Sequence, residues 1–392
     1  MPKRLKEYIL VINSGSATVK FKIFHQNDFS IALSGIVEKI GLPGSFISIE
    51  EKFSGRMIMK NFPQGLTNHD QAIEVIFSHL KHWKRKIKIV GHRIVHGGEK
   101  FVKPTLLTEK KIKELKNYNQ LAPLHNPINI SCLEACINFF SDVKNIAVFD
   151  TAYYKTLPNH AYLYPIPYKF YLENKIRRYG FHGISHQYVA EEAAKKIKKS
   201  LTKLKLITCH LGSGCSVTAI KFGKAVETSM GFTPLEGLMM GTRSGNIDPS
   251  IILFWIRNLG MSLEEIESTL NKKSGILGIF GYSNDLRDIM IASGYKIKNY
   301  SPTKKFNKKE KILAKTALNM FIYRIVKHIG SYITIMGGAN YIVFTGGIGE
   351  RNQNVRKLIM KEIKKAFPKL KSMPISANEE LMIAKQIKNN FY

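Results

Sequence analysis

Residues Tyr8–Phe24, YILVINSGSATVKFKIF, decide how the rest of the chain is read. The apolar run Ile9–Ile12 stops at Asn13-Ser14-Gly15-Ser16, and from Val19 apolar and charged residues alternate. Two strand patterns joined by small residues predict a hairpin. Glycine in its tip permits both the turn and the close approach of another group. Backbone N–H groups in such turns can form anion-binding concavities. The pattern recurs in LITCHLGSG (206–214), which runs on into SVTAIKFG, and in YIVFTGGIGE (341–350). Two more strand patterns end in charge, IKIVGHR at His92 and Arg93 and IAVFD at Asp150. Ligands of open α/β sheets sit beyond the strand ends. Five such tips from distant parts of one chain predict one cleft between two halves. A plain tight turn satisfies each loop alone; together they point to phosphate.

The chain has 392 residues, of which 44% are hydrophobic. That is room for two or three domains of about 150 residues, and strand and helix patterns alternate as in an α/β class. No run approaches the roughly 20 apolar residues of a membrane span. The stretch MPKRLKEY is basic, but the apolar run behind it is too short for a secretory core, which predicts a cytoplasmic protein. Four cysteines without a CxxC pair agree with a reducing compartment. Cys132 and Cys136 lie at helical spacing and read as core. The formal charge of +31 comes mostly from scattered lysines. Its densest cluster, around Lys296–Lys311, contains no nucleic-acid-binding motif. Neither a nucleic acid nor a membrane is expected as a partner. Asn68 caps a predicted amphipathic helix over 68–83, Ser262 and Glu265 form a capping box, and 308–336 reads as one long helix.

The loops are not a P-loop, since no G-K-[ST] opens a helix, and no well-placed GxGxxG exists. Asp150 at a strand end is a candidate general base, Mg²⁺ ligand, positioning group or helix cap. Arg93 and Arg243 stand in glycine-bearing loops, GHRIVHGGE and MGTRSGNIDP. Arginine grips carboxylate and phosphate with two parallel bonds, although a structural ion pair would also explain either one. In RRYGFHGISH, His182 and His186 are four apart, a spacing that admits zinc. A histidine donating to an oxyanion suits the phosphate loops better.

The chain resembles the acetate kinases, in the superfamily of acetate and sugar kinases, Hsp70 chaperones and actin. The resemblance rests on NSGSATVKFKIF, VGHRIVHGGE, LAPLHNP, AVFDTAYYKTLP, RRYGFHGISH, HLGSGCSV, ETSMGFTPLEGLMMGTRSGNIDP, KKSGILG, NDLRD, FTGGIGE and ANEELMIA, from residue 8 to about 387. It implies two ribonuclease-H-like, actin-like ATPase domains with a cleft between them. The first would span 1–150, completed by a C-terminal helix at about 381–392. The second, at 151–380, would bind nucleotide and form a homodimer. The implied reaction is Mg²⁺-dependent transfer of the γ-phosphoryl group of ATP to acetate, giving ADP and acetyl phosphate, with manganese able to replace magnesium. Propionate kinase is the nearest alternative.

By the same resemblance, Asn13 and Ser16 line the phosphate site with Thr18 and Lys20 close by. Arg93 and Arg243 hold the acetate carboxylate and the migrating phosphoryl group, Asp150 is the central carboxylate, and His182 stabilises the equatorial oxygens. Asn13 and Glu379 hold the metal. Val95, Leu124, Phe181 and Pro234 form the pocket for the substrate methyl. Asp285, Leu286, Arg287, Gly347 and Ile348 border adenosine, with Gly346 and Gly349 in the same loop. His125, His210, Gly212, Ser213 and Gly214 line the active cleft. Three positions depart from the family pattern: Ala17, Ser213 and Arg351. The segment between FTGGIGE and ANEEL is also shorter than usual.

Overall fold

The computed structural model describes residues 7–52 and 54–392; the basic stretch at 1–6 weighed above as a leader lies outside them. The chain divides into two compact units, Met1–Lys155 with Asn378–Tyr392, and Thr156–Ala377.

The N-terminal unit is built on eight strands: β1 Tyr8–Ser14, β2 Thr18–His25, β3 Ile31–Glu38, β4 Ser45–Glu51, β5 Arg56–Phe62, β6 Ile87–Ile94, β7 Thr105–Leu106 and β8 Lys144–Phe149. They form one sheet in the order β5-β4-β3-β2-β1-β6-β8-β7. The opening stretch is the β1–β2 hairpin, with Asn13 opposite Lys20 and Ser14 opposite Val19. Strand β1 is buried along its whole length, as expected of an apolar run covered on both faces. β1, β6 and β8 run parallel. Their C-terminal ends therefore bring Asn13, Arg93 and Asp150 to one edge of the sheet. The helix His69–Leu80 is capped by Asn68, whose side chain accepts from the Gln71 amide, and it buries Ile73, Ile76, Phe77 and Leu80. Its continuation at Lys81–Trp83 tightens to a 3₁₀ turn. Another face of the sheet is covered by the helix Glu379–Phe391. Gly91 of β6 makes that packing possible: a Cβ there would stand 2.5 Å from Ile387 Cδ1 and 3.0 Å from Ile383 Cγ2.

The C-terminal unit has five strands: β9 Lys205–Leu211, β10 Cys215–Lys221, β11 Lys224–Thr228, β12 Tyr341–Thr345 and β13 Lys371–Pro374. Their order is β11-β10-β9-β12-β13. HLGSG is the tip of the β9–β10 hairpin. β12 lies parallel to β9, with Thr345 opposite His210. Gly346 then turns the chain at φ +76°, where a Cβ would strike the Leu211 carbonyl oxygen at 2.5 Å, so the turn requires glycine. The residues Gly346–Arg351 coil directly into a helix. The long helix Lys308–Met336 begins at an Asn307–Glu310 capping box and ends at Gly337 in the left-handed region. It buries Ala314, Leu318, Phe321, Ile325 and Ile329, the i, i+3, i+4 stripe of a core helix. The Ser262–Glu265 capping box is also formed. Cys132 and Cys136 are buried core residues on the helix Asn126–Phe139.

Candidate active site

In the N-terminal unit the strand ends are joined by one polar network. Arg93 donates from Nε to both oxygens of Asp150 at 3.2 Å and from Nη2 to Oδ2 at 2.5 Å. Its Nη1 donates to Asn13 Oδ1 at 3.1 Å. The Asn13 NH₂ group in turn donates to Glu379 Oε2 at 3.0 Å and Glu380 Oε1 at 2.8 Å. Lys22 pairs with Glu380 at 3.0 Å and donates to Asn378 Oδ1. Asp150 is 1% exposed. Burial by itself would lower the Arg93 pKa, but Asp150 and Glu379 outweigh it and hold the guanidinium firmly protonated. Three carboxylates thus face two cations, Arg93 and Lys22. The excess negative charge, carried on hard oxygens, suits a divalent cation of the Mg²⁺ type.

Two of the expected site residues have defined contacts here. Arg93 is engaged in a buried ion pair, so the structural alternative weighed for it is part of its role. The resemblance makes Asn13 a metal ligand, but the structure turns its NH₂ to the two glutamates and its carbonyl oxygen to Arg93. As oriented, Asn13 is a bridge, and the carboxylate oxygens are the donors suited to a cation. Glu380 enters the network beside Glu379, and nothing local in the sequence distinguishes the two.

The other N-terminal positions spread around this network. Ser16 and Lys20 are exposed and Thr18 is half-buried at the hairpin tip. Val95 is buried, and Leu124 is 44% exposed. His125 precedes the helix Asn126–Phe139. Sequence reasoning missed the two asparagines of that helix. Asn126 accepts from the His96 amide and donates to the His96 carbonyl oxygen. Asn129 accepts from the Val95 amide and donates to the carbonyl oxygen and hydroxyl of Ser14. Together they fix the NSGS and GHRIVHGGE loops.

The C-terminal unit gathers a second set of groups. His182 occupies the left-handed region at φ +59° and precedes the helix Gly183–Ile197. Such a conformation costs a residue with a Cβ about 1–3 kcal/mol and is characteristic of functional positions. The His182 ring stacks on His210 at 4.3 Å between centroids. Its Nδ1 lies 2.9 Å from Ser216 Oγ. Both nitrogens of His186 are spent on hydroxyls, Nε2 on Ser216 and Nδ1 on Thr208. Burial, with His210 nearby, holds the His186 pKa well below the ordinary value, so this ring is neutral. That arrangement answers the zinc reading of His182 and His186: the spacing serves a hydrogen-bond chain.

Arg243 is the centre of this set. Its Nη1 donates to the Pro234 carbonyl oxygen at 3.0 Å and contacts Met240 Sδ at 3.5 Å. Among the described residues no carboxylate lies within ion-pair distance of it. Burial lowers its pKa from the ordinary value, the direction expected of a partly desolvated cation. Arg243 and His182 converge on Gly214: a Cβ there would stand 3.3 Å from His182 Nε2 and 3.6 Å from Arg243 Nη1. Two side-chain donors and a glycine hairpin tip thus meet at one point, a cradle for an anion.

Beside the cradle lies a cavity of about 860 Å³, lined by Gly212 and Ser213 on one side and by Asp285, Leu286, Arg287, Gly347 and Ile348 on others. Lys296, Lys298 and Arg351 add positive charge to its wall. Asp285 caps the helix Leu286–Ala292 and pairs with Arg287 at 2.6 Å. Burial opposes ionisation of Asp285, but the bonds from Arg287 hold its pKa below the usual range. Gly346 and Gly349 flank Gly347 and Ile348 in the turn and helix that follow β12. Phe181 is buried and Pro234 half-buried.

The family model described as "Acetokinase family" matches residues 8–373. The chain is 43% identical to the acetate kinase of Caldicellulosiruptor bescii over 411 residues, covering 97% of this chain and 98% of that one. Among solved structures it superposes on a propionate kinase from Francisella tularensis with a TM-score of 0.85 at 37% identity, covering 97% and 98% of the two chains. The Porphyromonas gingivalis acetate kinase gives a TM-score of 0.83 at 36% identity, covering 98% and 100%. On this family match, which spans nearly the whole chain, and on these near-full-length relatives, the chain belongs to the acetokinase family.

Proposed function

We propose that this protein is an acetate kinase, transferring the γ-phosphoryl group of ATP reversibly to acetate to give ADP and acetyl phosphate. The observation that carries the reading is Arg243, a half-buried guanidinium with no carboxylate partner among the described residues, meeting His182 at a glycine cradle. A partly desolvated cation without a counter-charge favours an anionic partner. An incoming phosphoryl oxygen supplies the missing charge.

The chemistry follows from what these groups can do. Phosphoryl transfer depends on alignment and on neutralising charge over the equatorial oxygens, with little covalent work for the protein. Acetate, with a pKa near those of Asp and Glu at about 4, is already the nucleophile at neutral pH. No base is needed, and Asp150 acts by fixing Arg93, which orients the acceptor carboxylate. In the N-terminal unit, Val95 offers apolar surface suited to the methyl group. His182 and Arg243 donate to the oxygens of the migrating group. The adenosine moiety occupies the cavity bordered by Asp285–Arg287 and Gly347–Ile348, with the GSG tip facing the phosphates.

Glu379 and Glu380 would hold magnesium carried in with the nucleotide, with manganese as a substitute. The ion would supply charge neutralisation on the phosphates. Mg²⁺ commonly takes one or two carboxylates and completes its shell from phosphate and water. Among the described residues no three His, Cys, Asp or Glu side chains form a metal cage, and the two glutamates match the sparser pattern. We place the enzyme in the cytoplasm as a homodimer formed through its second domain, with neither nucleic acid nor membrane as a partner. Among the described residues no helix is long and apolar enough to cross a membrane.

The Francisella structure at TM-score 0.85 is a propionate kinase, and this keeps propionate as the second reading. One methylene separates the acceptors by only about 1–3 kcal/mol. Incubation with MgATP and acetate, propionate or butyrate, trapping the acyl phosphate with hydroxylamine, decides between them. The highest kcat/KM is expected with acetate. No hydroxamate with any of the acids would end the kinase reading.

A further inference from the structure

Behind His182 runs a chain of four side chains. His182 Nδ1 meets Ser216 Oγ at 2.9 Å, Ser216 Oγ meets His186 Nε2 at 2.8 Å, and His186 Nδ1 meets Thr208 Oγ1 at 2.7 Å. Ser216, His186 and Thr208 are all fully buried. Each hydroxyl has one proton and a neutral imidazole has one, so the chain has only two self-consistent directions.

In the first direction Thr208 donates to the Thr218 carbonyl oxygen and accepts from His186 Nδ1–H. Ser216 then donates to His186 Nε2 and accepts from His182 Nδ1–H. Neutral His182 would present a bare lone pair at Nε2, and only its imidazolium form could donate there. In the second direction Thr208 donates to His186 Nδ1, His186 Nε2–H donates to Ser216, and Ser216 donates to His182 Nδ1. Neutral His182 then carries its proton on Nε2.

Two observations select the second direction. The Thr208–Thr218 bond that must anchor the first is 3.5 Å long, well beyond the usual range for a hydroxyl donor. The first direction also needs a cationic His182 to bind an oxyanion, with Arg243 Nη1 at the same Gly214 cradle, and two cations there would repel.

We propose that Ser216 and His186 are positioning residues that lock His182 in its neutral Nε2–H tautomer, so that it donates to the transferring group without taking up a proton. The inference rests on the phosphoryl-transfer reading of the cradle. The distorted backbone of His182 fits the role, since a left-handed residue is tolerated where the surroundings over-determine the side chain.

The test is long-range ¹H–¹⁵N correlation spectroscopy on the full-length protein with ¹⁵N-labelled histidine, His182 being assigned from the signals lost in His182→Gln. The wild type should show His182 in the Nε2–H form. Ser216→Ala should transfer a measurable fraction to Nδ1–H and lower kcat on the order of tenfold, as loss of an orienting partner does. The KM for ATP should stay within about twofold, and Ser216→Thr should recover much of kcat. A wild-type His182 protonated on Nδ1, or an unaltered tautomer in Ser216→Ala, would overturn the proposal. The wild-type spectrum, assigned against His182→Gln, decides even if Ser216→Ala misfolds. It is also independent of acetyl phosphate formation, which tests the underlying reading separately.

Discussion

Asp150→Asn separates the structural from the functional share of the buried pair with Arg93. The amide keeps the shape of the side chain and one acceptor oxygen but removes the charge. Arg93 would lose a charge-assisted grip, worth about 1.5–3 kcal/mol for such a bond. A fully bare buried charge costs about 3–5 kcal/mol, but Glu379 lies 3.8 Å from Arg93 Nε and keeps part of the compensation. The expected destabilisation is therefore about 2 kcal/mol, confined to the N-terminal unit. For a unit of this size that lowers Tm by about 4–8 °C. The two tryptophans make it measurable, because Trp83 is buried in the N-terminal unit and Trp255 belongs to the C-terminal one. In a Trp255→Phe background, fluorescence reports the N-terminal unit alone. The hydroxamate assay on the same protein should show a loss of at least about 10²-fold, as for other positioned electrostatic groups. An Asp150→Asn protein with unchanged Tm would refute the ion pair, and one with near-normal turnover would refute the catalytic placement of Arg93.

Arg243→Ala should lower kcat and kcat/KM together by about 10²-fold or more while the KM for ATP changes little, because its contact belongs to the migrating group; a raised KM at full turnover would reassign it to the nucleotide. Gly214→Ala should fold normally, since the residue does not use the left-handed region, yet lose on the order of 10²-fold in turnover as its methyl pushes the His182 ring out of place and fills the space between it and Arg243; full activity would remove the cradle. The N-terminal unit should lose stability on acidification. Burial lowers the His92 pKa to about 4 and the His96 pKa to about 3, against about 6.5 in the unfolded chain. Between pH 6.5 and about 4 the unfolded chain binds more protons than the folded one, so stability rises with pH there. Denaturation followed through Trp83 should show a slope of up to about 2.7 kcal/mol per pH unit from the two rings. His92→Gln should roughly halve the slope, and an unchanged slope would show that His92 is not held neutral.

Much of this architecture was legible because it is encoded locally. The β1–β2 and β9–β10 hairpins follow from alternation and small residues at their tips, and the helix His69–Leu80 follows from its cap and apolar stripe. The residues of each anion-facing loop carried their own signal, glycine beside serine at a strand end. The partners were less visible. Asn13 and Glu380 are 367 positions apart, and no local pattern shows that Glu380 as well as Glu379 reaches Asn13; that depends on how the helix packs on the sheet. Ser216 did carry a signal that went unused. With Thr218 it places polar residues at alternate positions of a wholly buried strand, and polar groups on such a strand need partners. The left-handed backbone of His182 had no signature, since positive φ is uncommon for any residue but glycine, even though histidine is among those enriched there.

The helix Glu379–Phe391 belongs to the unit that begins with β1, and this sets an order on synthesis. A growing chain has made Arg93, Asp150 and Asn13 long before it makes Glu379 and Glu380, which complete their hydrogen-bond network. Until the segment from Asn378 emerges, β6 lacks the cover of Ile383 and Ile387 over Gly91, and the apolar sheet face they shield stays wet. The C-terminal unit, in contrast, is one uninterrupted stretch and can condense as soon as it is complete. The half translated first is thus the half finished last, and a ribosome stalled before residue 378 would release a chain with one sheet still unroofed.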